Sequence, residues 1–519
     1  MNRNRSLMTL TKLPSSSSAA AALAACAALL LAGCGSLAPG GAHPPTPDAP
    51  VSTTWKSVPP GGGVDANGVD WISTDTHRTW QAEAWWTWFG DTGLNDLMPR
   101  IAIGNQNLAQ AAANVAQAQA LLQQAQAQRL PTLGLNLSTN RSGKPANGSA
   151  GLNAAAGWSP DLWGNQADAV RMREANVQAN QADLAETLLS AQSSFAQSYF
   201  AVREADAELA LLDQIITGYE RALQITQNQY NIGTAPHTDV LQAQSTLDGA
   251  RATRHQLAAS RDTSEHVLAL LLGLPPADFN LPPGSWIDNP PQVPLSLPAE
   301  LLLRRPDIVS AERAVAAANA NIGVARAAYF PNLDLSASVG GSARNLSKLF
   351  SAPALAWSLG LTAAETLFDG GARAGAVAQA RAEHDAAVAT YRQTVLTAMG
   401  QVEDDLTQIA ALAGQIEQTR LAAQAAQETA DRMMNSYRAG ITVYSNVVTA
   451  QASALSSSRS LLQLQLQRQQ TAIGLIQALG GGWQAPWTQT SATDVSNDAG
   501  KSDAADAGAA QHPHAPQSN

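Results

Sequence analysis

The sequence predicts a mixed α and β membrane protein that is internally duplicated, with long antiparallel helices and four β-strands in each chain. Three observations predict this class. A long helical pattern that ends in a tight glycine turn occurs twice, 207 residues apart. A pair of segments that alternate apolar and polar residues also occurs twice, about 200 residues apart. No helical pattern contains 18 uninterrupted apolar residues, so none predicts a membrane-spanning helix.

The two glycine turns join long helices into hairpins. The first turn, Tyr230 to Gly233, lies between helical patterns over about 168–229 and 238–272; the second, Tyr437 to Gly440, lies between patterns over about 373–437 and 445–479. A seven-residue apolar repeat runs along the first helix and predicts a left-handed coiled seam. Its members are Leu188, Phe195, Val202, Leu209, Ile216, Leu223 and Tyr230.

A shorter helix and two strands precede each hairpin. Pro131 stops a helical pattern over 107–128, and Pro331 stops one over 306–328. The period then changes to two, which is typical of strands with one apolar and one polar face. The apolar positions are Leu133, Leu135, Leu137, Leu152, Ala154, Ala156 and Trp158 in the first copy, and Leu333, Leu335, Ala337, Val339, Leu355, Trp357, Leu359 and Leu361 in the second. The offset grows from 200 to 207, which predicts extra residues near 368–371.

Four such strands cannot close a barrel of useful size. Each is about as long as a membrane strand, roughly 9–11 residues, and a sheet in lipid cannot leave its edges open. Pooling strands among three chains gives a twelve-stranded trimeric β-barrel, with the helical hairpins forming an α-helical barrel. Aromatic residues near the strand ends fit either a membrane girdle or the core. They are Trp158, Tyr329, Phe330, Phe350 and Trp357. A helical bundle with incidental β-ribbons explains the paired strand blocks less well.

The N-terminus predicts export and a lipid anchor. Basic residues precede an apolar run over 19–31, which ends in Leu31-Ala32-Gly33-Cys34. This end resembles the bacterial lipobox, which implies cleavage after residue 33, lipidation of Cys34 and an outer-membrane location, since Gly35 is not Asp. The predicted divisions are a signal peptide (1–33), a Pro/Gly tether (34–70), a first repeat (71–274), a Pro-rich linker (275–298), a second repeat (299–487) and a disordered tail (488–519).

Charge and motifs exclude several other functions. A net charge of −10 argues against binding of nucleic acid through phosphate contacts. No pattern of His and Cys has metal-ligand spacing, and no catalytic constellation is present, so no metal, cofactor or enzyme activity is predicted. Glu265-His266 and Glu383-His384 lack a second His and are interpreted as solvated helix faces. The aromatic run Trp85 to Phe89 is interpreted as a staple on the core.

Several stretches carry a family resemblance. They are Trp88-Phe89-Gly90-Asp91, Leu94-Asn95-Asp96-Leu97, Leu303-Arg304-Arg305-Pro306-Asp307-Ile308, Tyr329-Phe330-Pro331-Asn332-Leu333 and the two glycine turns. With the duplicated layout, the chain from about 71 to 487 resembles the TolC-like outer-membrane efflux factors, and most closely their OprM/NodT lipoprotein branch. The resemblance implies a homotrimeric channel that is the exit duct of a tripartite pump. The implied partners are a periplasmic adaptor and an RND-type inner-membrane transporter, with no catalytic centre in this chain.

The resemblance also implies two sets of site residues. The hairpin tips at Gly233, Thr234, Gly440 and Ile441 would meet the adaptor. The periplasmic aperture would be lined by Val443, Ser445 and Thr449. Relatives often carry an acidic residue at the position of Thr449, so we expect a less cation-selective aperture here. Two alternatives stay open: an exit duct for type I protein secretion, and a structural coiled-coil lipoprotein that forms no channel.

Overall fold

The computed structural model describes residue 48 and residues 55–56, 63–64, 70–71, 84–143, 147–291, 305–344, 355–483 and 485–486. The described residues form two compact units. The strand unit contains Ala118–Val177 and Ala314–Val388, and the helix unit contains the remainder. Each unit takes segments from both predicted repeats, so the domain boundaries that follow the repeats remain predictions. Cys34, the predicted signal peptide and tail, Phe350, and Leu303-Arg304 lie outside the described residues.

Seven helices and four long strands follow one another in the described part of the chain, and their order repeats. The first set is α1 (Thr92–Gly104), α2 (Gln106–Ala127), β1 (Thr132–Ser142), β2 (Asn147–Trp158), α3 (Asn165–Asn231) and α4 (His237–Leu271). The second set is α5 (Pro306–Ala327), β3 (Asn332–Ala343), β4 (Leu355–Ala364), α6 (Ala372–Arg438) and α7 (Tyr444–Ala478). The structure also shows a 3-10 helix at Trp85–Phe89 and a two-residue ladder between Gly63–Val64 and Asp70–Trp71.

The predicted helices are confirmed to within about three residues at each end. Helix α3 begins earlier than the predicted residue 168, because the backbone carbonyl of Gly164 accepts a hydrogen bond from the Asp168 N–H at 2.8 Å. Helices α3 and α6 each contain 67 residues, and helices α4 and α7 each contain 35 residues. None of the helices that the structure describes is both long enough and apolar enough to cross a membrane.

The four strands form one antiparallel sheet in the order β1-β2-β3-β4. Register places Thr132 opposite Gly157 in the first pair and Asn332 opposite Ala364 in the last. Thr132 and the equivalent residue of the second copy, Asn332, are therefore 200 residues apart. Gly157 and its equivalent, Ala364, are 207 residues apart. Extra residues in the second copy thus lie between β3 and β4 in the sequence, and the predicted location near 368–371 is wrong. Residues 344–354 connect β3 to β4, whereas only residues 143–146 connect β1 to β2.

An aromatic cluster forms the main core of the helix unit. Trp85 and Phe89 of the 3-10 helix are buried against α3, where the Phe89 and Phe200 ring centroids lie 5.2 Å apart. The predicted aromatic staple is therefore confirmed. Along the predicted seam of α3, Phe195 and Val202 are fully buried, whereas Tyr230 at its end is exposed. The seven-residue pattern thus predicts the middle of the seam better than its end.

Candidate functional site: hairpin turns and sheet faces

The two hairpin turns end α3 and α6 with the same backbone hydrogen bonds. The Gly233 N–H donates to the Tyr230 carbonyl at 2.9 Å and the Thr234 N–H to the Gln229 carbonyl at 2.8 Å. At the second turn the Gly440 and Ile441 N–H groups make the matching bonds at 2.9 Å each. This is the Schellman motif, and its glycine needs positive φ, which is 78° at Gly233 and 73° at Gly440. The glycine is therefore visible in the sequence of each turn because the backbone at this helix end needs positive φ.

The four residues predicted to meet an adaptor lie at these turns, on the surface of the chain. Gly233, Thr234 and Gly440 are exposed, and the Ile441 side chain is 79% exposed. Thr234 also donates its hydroxyl to the Gln229 carbonyl at 3.0 Å, which closes the first turn more tightly. An exposed apolar side chain at a loop tip is available for contact with another protein. The contact itself stays a prediction.

The two hairpins differ just behind their turns. Tyr437 and Tyr444 flank the second turn with ring centroids 5.1 Å apart, and Tyr444 is only 1% exposed. Both tyrosines belong to one buried cluster with Ala222 and Ala243 of the first hairpin and with Val447. The second hairpin is thus fastened to the first by its two tyrosines.

The first hairpin has no such aromatic anchor behind its turn. Tyr230 and His237 hold the places of Tyr437 and Tyr444, with ring centroids 5.0 Å apart. Both residues are exposed, Tyr230 to 41%. Their rings face solvent and are available to a partner. Sequence periodicity did not reveal this difference, because the two turns have the same spacing.

The predicted aperture residues share one exposed side of α7. Val443 precedes the helix in extended conformation, and Ser445 and Thr449 are one helical turn apart, with the Thr449 hydroxyl donating to the Ser445 carbonyl at 3.0 Å. All three are exposed, whereas Tyr444 and Val447 point into the hairpin core. The structure therefore brings the three residues onto one surface without a carboxylate among them. Their lining of an aperture stays a prediction.

Pairing in the sheet brings every apolar strand position to one face. Leu135 faces Ala154, which faces Val339, which in turn faces Trp357. None of the described residues covers this face, and Trp357 on it is 80% exposed. The other large exposed members are Leu133, Leu135, Leu137, Leu355, Leu359 and Leu361. Contiguous exposed apolar surface of this size marks contact with lipid or with another protein.

The opposite face of the sheet is polar and concave. Asn136, Asn153 and Ser338 line it with Ser358, and the Ser338 and Ser358 hydroxyl oxygens lie 2.8 Å apart. Glycines such as Gly340 lie between them, where an added Cβ would press on the backbone of β2. Small side chains therefore keep this face open, and its hydroxyl and amide groups can hydrogen-bond water.

Aromatic residues gather at the end of the sheet that joins the helices. Trp163 stacks on Phe330 with centroids 4.9 Å apart and donates from its indole nitrogen to the Pro331 carbonyl at 2.7 Å. Trp158 donates in the same way to the Arg129 carbonyl at 3.0 Å and remains partly exposed, as does Tyr329. Phe330 is thus mostly a packing residue, whereas Trp158 and Tyr329 have the exposure that a girdle requires.

A network of buried charges lies in the helix unit and was not predicted. Asp206 on α3 accepts from Arg203 at 3.2 Å and from Arg261 on α4 at 2.9 Å. Arg261 also pairs with Glu265. The predicted solvated face at Glu265 is therefore wrong: this carboxylate is buried because a cation and a backbone N–H compensate its lost hydration.

The same charges hold the first part of the connection between the two halves. The Leu281 N–H donates to Glu265 at 2.7 Å, and Arg203 donates to the Pro282 carbonyl at 2.7 Å. The Gly284 N–H donates to Asp206 at 3.1 Å. The connection is thus bound to the helices by charge-assisted hydrogen bonds, which are stronger than neutral ones. The available sequence signal was opposite charges three and four residues apart on two predicted helices.

Two further carboxyls in the helix unit have pKa values that are raised towards neutral pH. Burial, and secondarily the Glu208 carboxylate one turn away, raises the pKa of Glu204 to about 7. Arg459 on α7 pairs with Glu208 and opposes this shift in part. Burial also raises the pKa of Asp405 to about 6. No group of His, Cys, Asp and Glu among the described residues has the arrangement of a metal site.

Comparison with known proteins points to one family. The sequence profile described as "Outer membrane efflux protein" matches residues 97–274 and 297–481, more than half of the chain. The toluene efflux pump outer membrane protein TtgC of Pseudomonas putida is 28% identical over 460 residues, covering 84% of this chain and 91% of that protein. The cation efflux system protein CusC of Escherichia coli O6:H1 is 29% identical over 470 residues, covering 88% and 98%.

A solved structure has the same fold. The outer-membrane channel OprN superposes with a TM-score of 0.77 at 26% sequence identity. The match covers 86% of this chain and 99% of OprN. The part of this chain that matches OprN therefore has the fold of an outer-membrane channel.

Proposed function

Since this chain belongs to the outer membrane efflux protein family, we propose that it is the outer-membrane exit channel of a tripartite efflux system. The observation that carries the proposal is the sheet, with one uncovered apolar face and one polar concave face. Membrane barrels need this division, with apolar side chains towards lipid and polar ones towards the lumen. Helices α3, α4, α6 and α7 would extend the lumen into the periplasm.

The channel is a homotrimer in this proposal. In the part of the chain that the structure describes, strands β1 and β4 each have one unpaired edge, and such edges cannot face lipid. Three copies supply twelve strands, enough to close the barrel, and six helical hairpins to surround the periplasmic part. The chain is a passive duct without a catalytic centre, since the transporter supplies the energy.

The partners are a periplasmic adaptor and an RND-type inner-membrane transporter. The exposed tips at Gly233, Thr234, Gly440 and Ile441 are the proposed adaptor contacts. We expect photo-cross-linking from Ile441 to capture the adaptor, and a probe at Leu361 on the sheet to give no adaptor product. Adaptor captured only from Leu361 would contradict the tip assignment.

The cargo is set by the transporter rather than by this chain. TtgC and CusC are named for toluene and cation efflux, yet they resemble this chain about equally. The resemblance of the whole chain favours efflux of small molecules over secretion of proteins.

A lipid on Cys34 would anchor each copy in the outer membrane. The sequence around Leu31 to Cys34 supports this proposal. Labelled palmitate should be incorporated by the wild type and not by Cys34→Ser. Labelling that persists in Cys34→Ser would rule out the anchor, although the strands could still insert.

The channel proposal itself is tested by membrane fractionation. We expect an outer-membrane trimer that dissociates on heating in detergent, and its sheet residues should be protected from aqueous thiol reagents on the apolar face. A soluble or peripheral monomer would support a structural coiled-coil lipoprotein instead.

A further inference from the structure

Three charged side chains meet where α3 packs on α7 in the helix unit. Glu204 and Glu208 lie one helical turn apart on α3, and both residues are buried. Arg459 of α7 pairs with Glu208, and its charge also acts on Glu204. These three residues are called the α3–α7 cluster below. The cluster has two carboxyls for one guanidinium, so its charges balance only when it holds one proton.

Glu204 is the residue of the cluster that holds this proton. Its Oε1 atom is buried and has no hydrogen-bond partner among the described residues. The two carboxyls can share a hydrogen bond, which requires a proton because two carboxylates can only accept. Burial, followed by the charge of Glu208, raises the pKa of Glu204 to about 7. Loss of the proton leaves a buried net negative charge, which costs free energy until water reaches it.

Other charges near the cluster do not replace the proton. Arg203 on α3 and Arg261 on α4 both donate to Asp206, so their charges are already compensated. On α6, Asp405 is a second carboxyl that faces α7, and it lies at Gly474. That contact is roughly 22 Å along α7 from the cluster, too far to balance its charge.

The other copy of the repeat lacks these charges. The 207-residue offset places Ala411 and Gln415 at the positions of the two glutamates, and Ala252 at that of the arginine. The equivalent helices of the second copy therefore pack without any charged group at these places. The fold thus does not require the cluster, which indicates a role specific to the contact between α3 and α7.

We propose that the α3–α7 cluster is a proton-operated latch: with its proton it holds α7 on α3, and without it α7 is released and the periplasmic end opens. The inference rests on the proposed channel function and adds its regulation. Helix α7 is continuous from Tyr444 to Ala478. A movement at Arg459 is therefore carried to the proposed aperture residue Thr449, roughly 15 Å away along the helix.

Proton linkage gives the direction of the effect. In the latched state the pKa of Glu204 is raised to about 7, whereas a hydrated carboxyl in the released state has the ordinary pKa of 4.5. The latched state is therefore fully favoured below pH 4.5, and its advantage is lost as the pH rises towards about 7. Opening should increase with pH across this window.

Single-channel recording at two pH values tests the latch. In wild-type trimers the ratio of open to closed time should rise roughly tenfold between about pH 5.5 and about pH 7.5. Glu204→Gln keeps the neutral form and should stay at the low wild-type ratio at both pH values. The matched control is Asp213→Asn, because Asp213 lies exposed on α3 and Arg254 lowers its pKa. This control should respond to pH as the wild type does.

A second variant separates titration of the cluster from a general loosening of the helices. Glu208→Gln leaves one carboxylate for one guanidinium, so Glu204 stays charged and paired over the tested range and the rise with pH should disappear. A general loosening would raise the open ratio and keep its pH dependence. A rise of wild-type size in Glu204→Gln or in Glu208→Gln would overturn the latch.

A distance measurement tests the movement without relying on conductance. Spin labels on the exposed residues Ala210 of α3 and Ser460 of α7 should move apart between the two pH values, and should not do so in Glu204→Gln. An unchanged distance in the otherwise wild-type protein would overturn the latch and leave the channel proposal intact. A longer distance in inserted trimers that give no conductance steps would support the release of α7 and contradict the channel proposal.

Discussion

Tyr444 lies against Tyr437 across the second hairpin turn, with ring centroids 5.1 Å apart and an angle of 58° between the rings. Burial raises the pKa of Tyr444 to about 12, so the phenol is neutral at all physiological pH values. The pair therefore acts as an apolar wedge between the second hairpin and Ala222 and Ala243 of the first. We therefore expect this pair to hold the second hairpin on the first.

Replacing this wedge should loosen the second hairpin. We expect Tyr444→Ala to lower the free energy of unfolding by about 3 kcal/mol, the usual cost of removing a large buried aromatic side chain. His237→Ala, at the matching exposed position of the first hairpin, should change it by less than about 0.5 kcal/mol. Thermal unfolding followed by far-ultraviolet circular dichroism measures both. Equal effects of the two variants would contradict the asymmetry.

Breaking the buried charge network should cost far more than breaking a surface pair. Asp206→Asn leaves Arg203 and Arg261 without their shared carboxylate, and we expect a loss of about 3 kcal/mol. Asp213, one heptad further along α3, pairs with Arg254 on the exposed surface. Asp213→Asn should therefore cost less than about 1 kcal/mol. A small effect of Asp206→Asn in thermal unfolding would show that the network contributes little.

The stability of the helix unit should depend on the protonation of Glu204. A carboxyl with a raised pKa binds more protons in the folded state, so its contribution is full below the ordinary value of 4.5 and is lost as pH rises towards about 7. Glu204→Gln, which keeps the neutral form, should be more stable than wild type above this window, by on the order of 2 kcal/mol. The pKa of Asp405 is raised as well, and Asp405 is present in both proteins. The measurement is therefore the difference in unfolding free energy between wild type and Glu204→Gln at each pH. A difference that does not change with pH would contradict the assignment.

A carboxylate at the proposed aperture should change ion selectivity. Thr449→Asp would place three carboxylates around the trimer axis and favour cations over anions. Planar-bilayer recordings under a salt gradient measure the change in reversal potential. A wild-type cation preference that survives changes at Thr449, but disappears in Asp239→Asn, would place the selective ring at Asp239 instead.

Much of the fold could be predicted because it depends on local backbone requirements. Pro131 and Pro331 cannot continue a helix, Gly233 and Gly440 supply the positive φ of helix ends, and the apolar alternation of the strands has period two. These signals lie within a few residues of the structures they predict.

The remaining features depend on distant partners. Glu265 is buried because Arg261 and the Leu281 N–H compensate the lost hydration of its carboxylate. No residue near Glu265 in the sequence shows that the connection packs back on this helix. The extra residues between β3 and β4 have no periodicity, so only the strand register locates them. Tyr444 and His237 hold equivalent positions, and their opposite burial results from the packing of one hairpin on the other.

Single-channel recording tests the central claim most directly. Purified trimers in planar bilayers should give discrete conductance steps, and we expect small steps in the wild type because Tyr444 packs the second hairpin on the first. Tyr444→Ala, which releases the second hairpin, should give larger steps, and His237→Ala should behave as the wild type does. No steps from either the wild type or Tyr444→Ala, in bilayers shown to contain inserted trimer, would contradict the claim that this chain forms a gated passive channel.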